Sequence, residues 1–74
     1  MKQLIECVPN ISEGRNINII NAIAKTVENV DGVKLLNIDP GKATNRTVIT
    51  FVGEPKQVVE AAFLLIQKSK ELID

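Results

Sequence analysis

The sequence lacks histidine, tryptophan and tyrosine, and it has one cysteine in 74 residues. Without histidine and with Cys7 as its only thiol, the chain has no conventional zinc ligand set and no internal disulfide. Because it has only two phenylalanines, its core has to be built mostly from aliphatic side chains. A domain this small therefore depends on close packing of Ile, Val, Leu and Ala, or on a partner chain, for its stability.

An excess of charge of one sign is also missing, since nine basic and nine acidic residues give a net charge of zero. This balance argues against a nucleic-acid-binding surface, and it leaves association between copies unopposed by repulsion. No apolar run approaches the length of a membrane span, and the first residues are too polar for a signal peptide. We expect a cytoplasmic protein that keeps Cys7 reduced and binds neither nucleic acid nor membranes.

Apolar segments alternate with turn-forming residues along the chain. Three apolar runs predict strands at residues 4–8, 33–38 and 46–52. Pro9 is expected to end the first strand, and the Asp-Pro-Gly sequence at residues 39–41 predicts a turn after the second.

Two stretches have the apolar spacing of helices. The first is expected to begin after an N-cap at Ser12 or Asn16 and to close at Gly32. Its predicted core face consists of Ile17, Ile20, Ile23, Ala24, Val27 and Val30. The second begins at Pro55, where the missing N–H of proline costs nothing. Its predicted core face consists of Val59, Ala62, Phe63 and Ile66, flanked by Val58, Leu65 and Leu72.

The order strand, helix, strand, strand, helix predicts an α/β (α+β) fold. It corresponds to a ferredoxin-like split unit that lacks its last strand, with a mixed or antiparallel sheet and both helices on one face. Residues 1–74 would form one incomplete domain, and residues 4–8 would be an exposed sheet edge. Because natural proteins seldom leave such an edge open, we expect a missing C-terminal portion or a second copy to cover it.

In this topology the polar residues meet at one end of the sheet, where the N-terminus of the first helix also offers N–H groups to an anion. The set comprises Asn10, Ser12, Glu13, Arg15, Asp39, Thr44, Asn45 and Arg46. Taken singly, these residues have ordinary structural explanations: Asn10 and Asp39 suit turns, and Arg46 suits solvent or an ion pair with Asp39.

Two strings flank this predicted cluster: ECVPNISEG at residues 6–14 and TNRTVITFVG at residues 44–53. Together with Asp39, they resemble the N-terminal subdomain of the glutamate formimidoyltransferase (formiminotransferase) family, and the resemblance runs along the whole chain. It implies transfer of a formimino group from N-formiminoglutamate to tetrahydrofolate as co-substrate, within one-carbon metabolism and histidine degradation.

The resemblance also implies roles for four residues. Asn10 and Asn45 would give amide hydrogen bonds to the pterin or formimino group, and Arg46 would hold a substrate carboxylate. Asp39 would orient groups or steady a developing positive charge. The family's catalytic histidine lies beyond the equivalent of residue 74, so we expect no turnover by this chain alone. The alternatives are a non-catalytic folate- or anion-binding module and a self-associating α/β domain.

Overall fold

The structure is a computed structural model that describes residues 3–73. Its elements, in chain order, are β1 (Ile5–Cys7), β2 (Asn10–Ile11), α1 (Ile17–Glu28), β3 (Val33–Gly41), β4 (Arg46–Gly53) and α2 (Pro55–Leu72). Four strands form one antiparallel sheet. The predicted ferredoxin-like α+β fold is confirmed.

Strand β4 lies at the centre of the sheet. It pairs with β3 along its whole length, from Arg46 to Gly53. A strand has only two edges, so β1 and β2, which pair with the two ends of β4, share its other edge. Together β1 and β2 form one interrupted strand that runs parallel to β3, with β4 running back between them.

The first strand stops before Pro9, as predicted, since β1 ends at Cys7, but the chain does not leave the sheet there. Pro9 has no N–H to donate, but its carbonyl oxygen accepts a hydrogen bond from the Ile49 N–H at 3.0 Å. The chain therefore stays beside β4, and Asn10 and Ile11 resume the pairing as β2. The proline interrupts the ladder without ending it, as prolines do in edge strands.

The predicted turn at residues 39–41 is wrong, because these residues form the last part of β3. Within the described chain β3 pairs only with β4, and such an edge strand tolerates the missing N–H of Pro40. The turn itself follows at residues 42–45, where the Asn45 N–H donates to the Lys42 carbonyl oxygen at 3.3 Å. A register shift between Leu35 and Asn37 leaves Leu36 exposed.

The core lies between one face of the sheet and the two helices. Strand β4 contributes Thr47, Ile49 and Phe51, which alternate along the strand and are fully buried. Helix α1 contributes Ile20, Ile23, Ala24 and Val27, as predicted, but Ile17 at its start is exposed.

The predicted core face of α2 is wrong. The residues that α2 buries are Val58, Ala61 and Leu65. Three residues of the predicted face are exposed instead: Val59 by 66%, Phe63 by 63% and Ile66 by 59%. The helix carries two apolar stripes, and helical spacing alone does not decide which of them faces the sheet.

The helix starts follow the sequence signals. Of the two candidate N-caps for α1, the structure uses Asn16, whose Oδ1 accepts from the N–H groups of Asn18 and Ile19 at 3.1 and 3.3 Å. Pro55 opens α2, as predicted. Between residues 3 and 73 neither helix has the length and apolar character that crossing a membrane requires.

Candidate functional site

One end of the sheet, where α1 begins and β3 ends, gathers the predicted site residues. Asn10 of β2 and Asp39 of β3 both lie opposite Val48, one on each side of β4. Arg46 starts β4 and lies opposite Gly41. Paired residues share a face of a sheet, and alternate residues do too. Asn10, Asp39 and Arg46 therefore lie on the same face as Val48, away from the helices.

We call this side of the sheet the open face; its residues are Glu6, Asn10, Lys34, Asn37, Asp39, Arg46, Val48, Thr50 and Val52. Asn10 and Asp39 are two strand spacings apart, about 10 Å. Arg46 is a diagonal neighbour of Asp39, at about 7–8 Å between backbones. The three side chains thus surround a patch of the size of a small heterocycle.

The side chains of Asn10, Asp39 and Arg46 do not bind one another within residues 3–73. All three residues are exposed. Within residues 3–73, the side chains of Asn10, Asp39 and Arg46 form no hydrogen bond or ion pair, so the suggested Asp39–Arg46 pair is absent. Their amide, carboxylate and guanidinium groups are available to a bound molecule.

Residues 12–16, which we call the rim loop, pack against the start of β4. The Gly14 N–H donates to Asn45 Oδ1 at 2.9 Å, and Arg15 Nε donates to the Lys42 carbonyl oxygen at 3.0 Å. The buried Thr47 hydroxyl donates to the Glu13 carbonyl oxygen. These bonds tie the rim loop to the β3–β4 turn, and so place the start of α1 beside Arg46.

Asn45 is part of this scaffold. Its φ of 54° is left-handed, a conformation that Asn tolerates better than most residues. Its side-chain oxygen accepts from the Gly14 N–H, and its amide NH2 group remains to contact a ligand. The sequence suggested a ligand contact at Asn45, whereas the structure gives it a turn-forming and loop-holding role as well.

Substitution of Asn45 separates these two structural roles. We expect Asn45→Ala to lower the free energy of unfolding by about 2 kcal/mol, because it removes the bond to Gly14 and keeps the left-handed backbone. Asn45→Gly loses the same bond without the backbone strain, and should cost about 1 kcal/mol less. Urea unfolding of both variants measures the difference. Equal losses would show that the left-handed conformation carries no cost here.

The start of α1 is already satisfied by side chains of the rim loop and the cap. Glu13 Oε2 accepts from the N–H groups of Asn16 at 3.0 Å and Arg15 at 3.1 Å. These two hydrogen bonds hold the pKa of Glu13 below its usual value, and the bond from Asn16 has the larger effect. Since the Asn16 side chain also accepts from the N–H groups of Asn18 and Ile19, most of the N–H groups expected to receive an anion already have internal acceptors.

Two residues that build the site were not singled out from the sequence. Gly14 is buried against the backbone of Gly41 and Arg46, and Thr47 holds Glu13. The one sequence signal for Gly14 is its position between polar residues just before a helix. No group of three His, Cys, Asp or Glu side chains within residues 3–73 is placed to hold a metal ion.

Comparison with known proteins gives a consistent result. The sequence model of the formiminotransferase domain, N-terminal subdomain, matches residues 4–74. The chain is 51% identical over 74 residues to formimidoyltransferase-cyclodeaminase of Sus scrofa, of which it spans 14%.

Two microbial relatives are named glutamate formimidoyltransferase. The protein of Streptococcus pyogenes serotype M1 is 39% identical over the whole chain, which spans 25% of it. That of Thermoplasma acidophilum is 45% identical over 71 residues, which make up 96% of this chain and 23% of the relative. The chain thus corresponds to a small part of each relative, and the resemblance seen in the two sequence strings is confirmed. On these matches and this fold, the chain belongs to the formiminotransferase family, in which it corresponds to the N-terminal subdomain.

Proposed function

We propose that this chain is the N-terminal portion of a glutamate formimidoyltransferase that moves a formimino group from N-formiminoglutamate to tetrahydrofolate. The open face around Val48 supplies one wall of the substrate site. The observation that carries this proposal is the placement of Asn10, Asp39 and Arg46 on one face, with their polar groups unused by the described chain.

The reaction proceeds in three steps. The folate amine attacks the formimino carbon, a tetrahedral intermediate forms, and the bond from that carbon to the glutamate nitrogen breaks. A base takes the proton of the folate amine, and an acid returns a proton to the departing nitrogen. The chain has no histidine, so in this proposal the proton carrier belongs to polypeptide beyond residue 74.

The residues of the open face suit binding and charge stabilisation. Both substrates carry carboxylates, and the Arg46 guanidinium can hold a carboxylate through two parallel hydrogen bonds. The Asp39 carboxylate would steady the cationic formimino carbon and nitrogens. Asn10, and the free NH2 group of Asn45, offer hydrogen bonds to the pterin or the formimino group. No group here performs proton transfer by itself, which agrees with a chain that is inactive alone.

An assembled enzyme tests the proposal. The chain is joined to the part of the Streptococcus pyogenes relative that follows the matched region, and formimino transfer to tetrahydrofolate is measured. We expect activity in the chimera and none in the 74-residue chain. Arg46→Ala should lower kcat/KM by about 10- to 100-fold, the loss expected for a hydrogen-bonded charge pair, mainly through a higher KM. Asp39→Asn should lower kcat more than it raises KM.

Lys34→Ala is the matched control, because Lys34 lies on the open face at the opposite end of β3. It should leave kcat/KM unchanged within about twofold. Binding of tetrahydrofolate is followed by thermal shift in each folded variant. Turnover by the isolated chain would contradict the assignment of proton transfer to other polypeptide. Wild-type activity and folate binding in both site variants would contradict the assignment of the open face, as would a folded chimera that neither binds folate nor reacts.

A further inference from the structure

One residue of β3 is out of step with the rest of the sheet. Strand β3 pairs residue for residue with β4 on either side of Leu36, which itself is passed over. A bulge of this kind adds one residue to a strand and redirects its side chain, and such bulges are common beside functional sites. Leu36 is 47% exposed, whereas Leu35 and Ile38 pack against the core. Leu36 and Asn37 therefore both lie on the open face, beside Thr50.

The other edge of the open face carries an apolar side chain at the same level. Cys7 and Asn10 pair with residues of β4 that are likewise three positions apart, so β1 and β2 keep one register across the interruption. Val8, the residue after Cys7, thus lies opposite Thr50. Because Cys7 packs against the core and successive side chains of an extended chain alternate, Val8 points to the open face, where it is 51% exposed.

We call the line from Val8 across Thr50 to Leu36 the apolar strip. Its two ends are two strand spacings apart, about 10 Å between backbones. Val48 and Val52, the neighbours of Thr50 on this face of β4, are half-buried and extend its floor. An apolar floor with an apolar side chain at each end fits the face and the edges of a planar aromatic ring.

Two polar groups of the strip and its border are free. Within residues 3–73 neither the Thr50 hydroxyl nor the Asn37 amide takes part in a side-chain hydrogen bond. A few unused polar groups in apolar surroundings fix the orientation of a bound small molecule. The strip thus suits a ring that carries an amide group.

The charges around the strip favour a small molecule over a layer of protein. Glu6, Lys34, Asp39 and Arg46 lie on the open face and form no ion pair within residues 3–73. A helix or sheet packed flat on this face would bury charges that have no partner in the described chain, which is costly. A single ring covers the strip alone and leaves those side chains in water or in contact with polar groups of the same molecule.

The strip lies directly beside the candidate site. Thr50 is two residues along β4 from Val48, a step of about 7 Å. A molecule with polar groups between Asn10 and Asp39 can therefore lay a ring on the strip through a short linkage. Tetrahydrofolate has this shape, because a short methylene-amine bridge joins its pterin to an aminobenzoyl ring that carries an amide.

We propose that Val8 and Leu36 hold the aminobenzoyl ring of the folate co-substrate, and that Leu36 is a specificity-determining residue for it. The inference rests on the proposed function, since it places a further part of the same co-substrate on the open face. N-formiminoglutamate has no ring, so the strip acts on one substrate and not on the other. This difference separates a contact with the ring from a general effect on the fold.

The test uses the chimera with the Streptococcus pyogenes relative, and its binding probe is p-aminobenzoyl-L-glutamate, the ring portion of folate without the pterin. Titration calorimetry measures the affinity for the probe, and steady-state kinetics give KM for each substrate. Leu36→Ser should weaken probe binding about tenfold and raise KM for tetrahydrofolate about as much, because it removes one apolar side chain from the ring. KM for N-formiminoglutamate should change by less than about twofold.

Further variants locate the contact. Val8→Ser, at the other end of the strip, should weaken probe binding in the same sense as Leu36→Ser. Leu36→Met keeps an apolar side chain of similar volume and should retain the probe affinity within about twofold. Val59→Ser is the control, since Val59 is an exposed apolar residue of α2 on the other side of the sheet, and it should change none of the three values.

A folded chimera that does not bind the probe, or that binds it equally well with Leu36→Ser, would overturn the inference. If Arg46→Ala still lowers kcat/KM in that case, the proposed function stands without it. Equal losses with Leu36→Ser and Leu36→Met, or a matching rise of both KM values, would also overturn it, because Leu36 would then act through the fold. Probe binding that depends on Leu36 in a chimera without formimino transfer would support the ring site and contradict the proposed reaction.

Discussion

Phe51→Ala is expected to lower the free energy of unfolding by about 3–5 kcal/mol. Phe51 is 0% exposed, and it lies on β4 between Cys7 of β1 and Leu35 of β3. Its truncation opens a cavity that helices on one side and paired strands on the other cannot close. A domain of this size has a total stability of roughly 4–11 kcal/mol, so the loss is a large share of it.

Phe63→Ala is the matched control, since Phe51 and Phe63 are the chain's two phenylalanines. Phe63 is 63% exposed on α2, so its truncation should cost less than about 1 kcal/mol. Urea unfolding of both variants gives the two losses directly. Equal losses, or a larger loss for Phe63, would mean that α2 presents its other stripe to the sheet, and would contradict the core described above.

The fold class could be predicted from the sequence because the strands and helices have distinct apolar periods. The buried face of α2 could not be predicted in the same way. Val59, Phe63 and Ile66 are as apolar as Val58, Ala61 and Leu65, and only the position of the sheet decides between the two stripes. The predicted stripe contained the larger side chains, as a self-contained domain would bury them. The structure exposes them, which fits a domain whose surface is completed by other polypeptide.

The course of the chain at two prolines was mispredicted from the sequence. Pro9 and Pro40 are breaking signals in the sequence, yet neither takes the chain out of the sheet. Pro40 lies within β3, which is paired on one side only and tolerates the absence of an N–H. Pro9 lies between β1 and β2, which pair with the same edge of β4. The error matters for the site. Asn10 and Asp39 were placed in turns, whereas in the structure they belong to strands and flank Val48 in register. Rigid strands hold their side chains in a more defined geometry than turns would.

The sequence predicts that the residues around Arg46 lie close together, but it does not predict the hydrogen bonds that join them. The topology alone brought the rim loop to the start of β4. The bond from Gly14 to Asn45 and the bond from Thr47 to Glu13 join residues that are 31 and 34 positions apart, and no local pattern encodes such pairings. Their existence makes the rim loop part of the scaffold on which Arg46 is held.

Gly14→Ala is expected to lower the free energy of unfolding by about 3 kcal/mol, and the melting temperature by about 15 °C. A Cβ at this position would lie 2.6 Å from the Arg46 nitrogen and 2.7 Å from the Arg46 carbonyl oxygen, and closer still to the Gly41 carbonyl oxygen. All three are backbone atoms of the paired ends of β3 and β4, so they cannot turn aside as a flexible side chain can. Relief requires the rim loop to lift from the sheet, which breaks the bond to Asn45.

Gly41→Ala is the control, since it adds the same methyl group on the other side of this contact. Its Cβ would meet the Thr44 hydroxyl at 3.0 Å and the Arg46 carbonyl oxygen at 3.3 Å, and the Thr44 side chain can rotate away. We expect a loss of about 1 kcal/mol or less, partly offset by the lower entropy of the unfolded chain. Thermal unfolding followed by circular dichroism ranks the two variants. A Gly14 variant as stable as the Gly41 variant would show that the rim loop does not rest on the backbone of β4, and that the placement of Arg46 has another cause.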